Sequence, residues 1–161
     1  MLVKIFSNNN FLKFLIMGQK KVLIVLNKKG WVEIFQHMIS QDYPKLTKIT
    51  TFSTFFEEAL DLISKEDSYV VVSCNEFFDQ SFDRKKEHGA IIPYGQRDGA
   101  KLAQKMKEEN SDLMFILFSQ FNPAVKSEFI DEYVSQYHLG DLENMDVIKV
   151  LDLIHEFVGV I

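Results

Sequence analysis

Few side chains in this 161-residue sequence are of the kind that attack, ligate or shuttle protons, and their spacing limits the chemistry open to it. The sole cysteine, Cys74, ends the apolar run "SYVVVSCNEFF". A strand-end thiol can serve as a nucleophile or redox sensor, but only with help: a second cysteine three positions away in a Cys-x-x-Cys motif, an arginine at phosphate-loop spacing, or a flanking glycine that strains the turn. None of these surrounds Cys74, so it reads as a small buried hydrophobe. A lone cysteine also excludes an internal disulfide and a thiol zinc site, and it suits a reducing cytoplasm. His37, His88, His138 and His155 show no metal-ligand spacing and read as structural or surface histidines. Glu76, Asp79 and Asp83 follow Cys74 in a polar stretch and read as solvated loop acids. No metal and no cofactor is expected.

One further feature offers binding chemistry. Lys28 and Lys29 in "NKKGW" stand just before a helical pattern, where backbone amides can hold an anion. The loop lacks the glycines and hydroxyls that cradle a phosphate, so a flavodoxin-like cofactor binder stands as an alternative, alongside a Cys74-dependent redox or enzymatic domain. Gly95 and Gly99 bracket a turn rather than a phosphate loop.

The elements that must position these groups alternate along the chain. "KVLIVLN" (21–27) is a continuous β-rich run, as for a strand covered on both faces. Trp31, Ile34, Phe35 and Met38 recur at helical spacing. "LTKITTF" (46–52) alternates as a more exposed strand. Thr54 and Glu57 then read as a capping box for a helix with Phe55, Phe56, Ala59, Leu60 and Ile63 inward. A third strand spans 69–74. Asp98 is placed as N-cap of a helix with Leu102, Ala103 and Met106 inward, before a fourth strand over 113–119. "NPAVKSEFI" reads as a short helix or turn and "EYVSQ" as a fifth strand. Asp141 caps a last helix carrying Val147, Ile148, Leu151, Ile154 and Val158 inward.

Strands alternating with helices predict an α/β fold: a flavodoxin-like doubly wound five-stranded parallel sheet with helices on both faces, a three-layer sandwich. Residues 20–161 are expected to form it, with a long loop over 75–92. Residues 1–19 are read as an extension, either an overlong start with Met17 as the native initiator or an extra packed element. Lys4, Lys13 and the run Ser7 to Asn10 interrupt their apolar residues, short of the roughly 20 needed for a membrane span. At net charge −5, with both signs interspersed, nothing in the bulk electrostatics points to nucleic acid. No membrane partner is expected either.

"KVLIVLN", "IIPYGQRDGAKLAQKMKEENSDLMFILFS" and "DEYVSQYHLGDLENM", in this order and spacing, resemble the receiver domain of bacterial two-component response regulators. The resemblance runs from Lys20 to the last residues. It implies an acidic pair at Leu26 and Asn27, a phosphoacceptor aspartate at Cys74, a hydroxyl at Ser119, a lysine at Gln136 and a switch aromatic at Tyr133. Only the hydroxyl and the aromatic are kept. Magnesium needs carboxylate oxygens, and a transferred phosphoryl group needs a cation to neutralise it. Leu26, Asn27, Cys74 and Gln136 supply neither.

The expectation is therefore a stand-alone pseudo-receiver, not an enzyme, that works by phosphorylation-independent protein–protein interaction. Its partner would be a histidine kinase, another response regulator or a second copy of itself. The wide apolar stripe of the last helix suggests the surface: Tyr133 and Tyr137 with Val150, Leu153 and Phe157.

Overall fold

The computed structural model describes residues 20–54, 56–63, 66–74, 99–119, 126–135 and 143–159. Among these are five strands and four α-helices, which take turns along the chain except that the last two strands are consecutive. They are β1 (Lys20–Val25), α1 (Lys29–Asp42), β2 (Thr50–Ser53), α2 (Phe56–Asp61), β3 (Ser68–Ser73), α3 (Gly99–Glu109), β4 (Leu113–Ser119), β5 (Glu132–Ser135) and α4 (Glu143–Val158). The sheet order is β2-β1-β3-β4-β5 with every pairing parallel, which is the flavodoxin-like doubly wound order.

Parallel strands buried on both faces need near-continuous apolar sequence. β3 is buried at all six positions, and β4 at all but Met114. The helices take opposite faces. α1 packs with α4, which lies against β1, β3 and β5, whereas α2 packs with α3 on the other side. Trp31 and Phe35 of α1 meet the ring of Phe118 edge to face, with centroids 5.0 and 5.4 Å apart. Leu102, Ala103 and Met106 seal α3 onto the sheet, all fully buried as their spacing predicts. No described helix is long and apolar enough to cross a membrane.

Three boundaries and faces differ from the sequence expectation. β2 begins at Thr50, not Leu46, because Pro44–Leu46 form a 3-10 turn. The Thr50 hydroxyl and the Ile49 N–H both bond back to the Leu46 carbonyl, which holds that turn in place. α2 stops at Asp61: the Leu62 N–H is shared between the Glu58 and Ala59 carbonyls, a tightening typical of a helix end. Ile63 lies beyond the helix but still packs on the core. Ile148, expected inward, is 40% exposed, and the inward position beside Val147 is taken by Asp146.

Polar ties fasten the amino edge of the sheet and the helices around it. Lys20 Nζ donates to the Phe157 carbonyl at the end of α4 (3.2 Å) and lies over the Phe157 ring. Asn110 donates to the Asp67 carbonyl and accepts the Asp112 N–H, so one buried side chain joins the starts of β3 and β4. Asp131 accepts from Phe115 N–H and from Lys107 Nζ, both at 2.7 Å.

Tyr43, just past α1, donates its hydroxyl to Asp152 of α4 (2.8 Å). Burial, then this bond to a carboxylate, pushes the phenol from 10.0 up to about 12. A raised phenol pKa stabilises the fold fully below the unfolded value of 10.0 and loses that contribution as pH climbs through the folded value near 12. Tyr43→Phe is expected to lower stability by about 0.5–1.5 kcal/mol at pH 8. The gap from wild type should shrink between pH 10 and 12, measured by urea unfolding.

Candidate functional site

In open α/β sheets the ligand crevice lies beyond the carboxyl ends of the strands. Here that rim is assembled by the register: Val25 pairs with both Ser53 and Ser73, Ser73 with Leu117, and Ser119 with Ser135. The next residues continue the ladder. Leu26 N–H bonds to the Ser53 carbonyl (3.1 Å), and Cys74 N–H to the Val25 carbonyl (3.3 Å). Leu26, Asn27, Cys74 and Ser119 are thus brought to one end of the sheet, as the sequence reading requires. Leu26, Cys74 and Ser119 are buried and Asn27 is half-buried.

Cys74 is closed over by its own fold. Ser73 Oγ donates to the Cys74 carbonyl (2.8 Å), and Gly99, the first residue of α3, presses against the same carbonyl. A Cβ on Gly99 would stand 2.5 Å from that oxygen and 2.5 Å from Leu117 Cδ1. With the residue only 6% exposed, attack on an outside group has little room. The chemistry of the donors does not fit Mg²⁺ either. Leu26, Asn27 and Cys74 offer an alkyl group, a carboxamide and a thiol where a hard cation takes carboxylates. Among the described residues, no three His, Cys, Asp or Glu side chains group to hold a metal ion. Glu76, Asp79 and Asp83, with Gln136 and Tyr137, lie outside the described residues, as do 1–19 and the loop 75–92.

Two carboxylates near this rim escaped the sequence reading. Glu58, in α2, accepts the Ser53 hydroxyl at the end of β2 (2.8 Å). Asp146, only 2% exposed, belongs to α4, whose far end at Phe157 sits by the amino end of β1. Eleven residues of helix, roughly 16 Å, put Asp146 on the carboxyl-end half of the sheet. It interacts within the fold. Its spacing, four residues before Val150 and eight before Ile154, is that of the inward stripe, but its acidic type gave no reason to place it inward.

The proposed surface is corrected in one part. Val150 is fully buried, so it is core and not a contact surface; its helix must cover β1, β3 and β5 together. Leu153 and Phe157 are partly buried against that core. Tyr133 is half-buried. Its hydroxyl accepts the Ser127 N–H (2.7 Å), and Lys126 Nζ lies 5.2 Å from its ring centre. Ser127 also accepts the Phe129 N–H on its hydroxyl and the Ile130 N–H on its carbonyl. Tyr133 is thereby fixed against the segment that leads into β5.

This rim and strand order define the receiver-type fold, and solved structures bear that out. No family model matches the chain, and no curated protein matches it. The signal receiver domain of an HD domain-containing protein from Pseudomonas fluorescens is similar in structure, with TM-score 0.53 and 18% identity over 86% of this chain and 99% of that one. The BeF3-activated DrrB receiver domain is similar at TM-score 0.51 and 14% identity, over 84% of this chain and 99% of that one. The isolated receiver domain of RcsB from Salmonella enterica serovar Typhimurium, solved with the phosphomimetic BeF3⁻, gives TM-score 0.53 and 12% identity, over 86% of this chain and 90% of that one. At these identities the likeness establishes the fold.

Proposed function

We propose that this chain is a pseudo-receiver: a phosphorylation-independent protein–protein interaction module in two-component-type signalling, without enzymatic activity. One observation carries the reading. The position where the receiver pattern places its phosphoacceptor holds Cys74, buried beneath Gly99, and its neighbours Leu26 and Asn27 bear no carboxylate. Phosphoryl transfer is mostly positioning and charge stabilisation, and the described rim supplies no cation site for either. The partner is a separate signalling protein: a histidine kinase, another regulator or a second copy. The proposed contact is the Tyr133 side of the fold, where the fixed ring offers an aromatic anchor of the type interfaces favour, with the Lys126 ammonium beside it.

The test is direct. Protein incubated with acetyl phosphate and Mg²⁺ should show no phosphoryl adduct by intact mass. A pull-down should recover the same partner with wild type and with Cys74→Ala, and less of it with Tyr133→Ser. A stable adduct, or equal loss of the partner from both variants, would sink the proposal.

A further inference from the structure

On the face that α2 and α3 share, the helix over β1 is α2, and among the described residues it does not reach along the whole strand. β1 and β3 have six residues each, roughly 20 Å of strand, whereas the six residues of α2 span roughly 9 Å. The bond from Ser53 to Glu58 and the full burial of Ala59 fix α2 over the carboxyl-end half of its face. Below it, toward the amino ends of β1, β2 and β3, the sheet is left with a concavity of about 270 Å³.

The lining divides by chemistry. Ile49 and Leu62 supply an apolar wall, above a floor in which Leu23 is fully buried. Leu62 is 37% exposed, unusual for a large apolar side chain here, since Ile148 is the only other such case among the described residues. Tyr69 is buried, with its hydroxyl turned to the Leu62 carbonyl (3.2 Å), which fixes that wall. The rim carries Thr51 and two ammonium groups, Lys21 and Lys48. Asp67 pairs with Lys21 at 2.7 Å and raises its pKa, so that ammonium stays charged. Among the described residues no acid lines the concavity, and Asp67 offsets one of the two positive charges. The surplus is positive.

We infer that this concavity binds a small organic anion: a compact aromatic or branched apolar body that rests on Ile49 and Leu62 and carries one anionic group to Lys48 and Lys21. The volume lies just below the usual range of ligand pockets, which limits the body to about one ring. The site lies at the opposite end of the strands from Cys74 and does not depend on the interaction role proposed above. On the pseudo-receiver reading it would supply that fold with a chemical input.

An amide NMR titration with phenyl phosphate tests this, with inorganic phosphate and benzyl alcohol as comparison probes. Phenyl phosphate should give saturable shifts centred on Lys21, Lys48, Thr51 and Leu62, tighter than either comparison probe. Lys48→Glu should weaken it about fivefold or more. Lys45→Glu, an equal charge change at an exposed position outside the lining, should leave the affinity unchanged. Matching urea midpoints for wild type and both variants exclude a folding effect. The inference is overturned by shifts that fail to saturate, by inorganic phosphate matching phenyl phosphate, or by equal weakening from Lys45→Glu.

Discussion

Replacing Gly99 with alanine is expected to lower the unfolding free energy by about 1–3 kcal/mol, and replacing it with valine by more. Two effects oppose each other here. Alanine is the better helix former, worth up to about 1 kcal/mol over glycine inside a helix and less at its first residue. Against this, the new Cβ would stand 2.5 Å from the Cys74 carbonyl oxygen and 2.5 Å from Leu117 Cδ1. Leu117 is a buried side chain in the middle of the sheet and has little freedom to yield. The carbonyl is backbone, held by the Ser73 hydroxyl on one side and by the bond from Cys74 N–H to Val25 on the other. The clash wins, so α3 must lift off the end of β3. Equilibrium urea unfolding of Gly99→Ala beside a Gly30→Ala control, where a Cβ meets nothing within 4 Å, isolates the contact from propensity. A Gly99→Ala variant as stable as wild type would mean that α3 does not press on Cys74. Labelling of the thiol by a small reagent gives a second readout, because lifting α3 should speed it.

Much of this was legible in the sequence because a parallel sheet needs long apolar runs and helices need a 3.6-residue stripe. "LMFILFS" marked β4 to the residue, and Leu102, Ala103 and Met106 marked the buried side of α3. The start of β2 was not legible: "LTKITTF" is rich in β-branched residues back to Thr47, but Pro44 nucleates a turn whose bonds outweigh that preference. The positions of the candidate site followed from strand ends, since any doubly wound sheet delivers Leu26, Cys74 and Ser119 to one rim. What those positions lack could be read from residue type alone. Glu58 and Asp146 could not be ranked from the sequence. An acid on a helix is usually at the surface, and only the packing shows that one accepts from Ser53 and that the other is buried. Val150 failed for the converse reason. A wide stripe on α4 looked like a surplus for docking, but it is the width needed to cover three strands at once.

Phe118→Ala should be the most damaging single truncation in the core near the site, lowering stability by about 3–5 kcal/mol. Phe118 is fully buried one residue before Ser119, and its ring receives two edge contacts from α1, at 5.0 Å from Trp31 and 5.4 Å from Phe35. Removing it deletes the hydrophobic transfer term and both aromatic contacts, each worth about 0.5–1.5 kcal/mol beyond area. It also leaves a cavity between two rigid layers, since α1 is tied to α4 by the Tyr43–Asp152 bond and cannot settle freely. Trp31 is the chain's one tryptophan, so its emission reports this layer alone. The variant should show red-shifted emission and a lower urea midpoint. Phe118→Leu, which refills part of the volume, should recover a portion of the loss. If Phe118→Ala unfolds at the wild-type midpoint with unchanged emission, α1 does not rest on β4 as described. In that case the placement of Ser119 and of the Lys28–Lys29 loop, both set by this layer, loses its support.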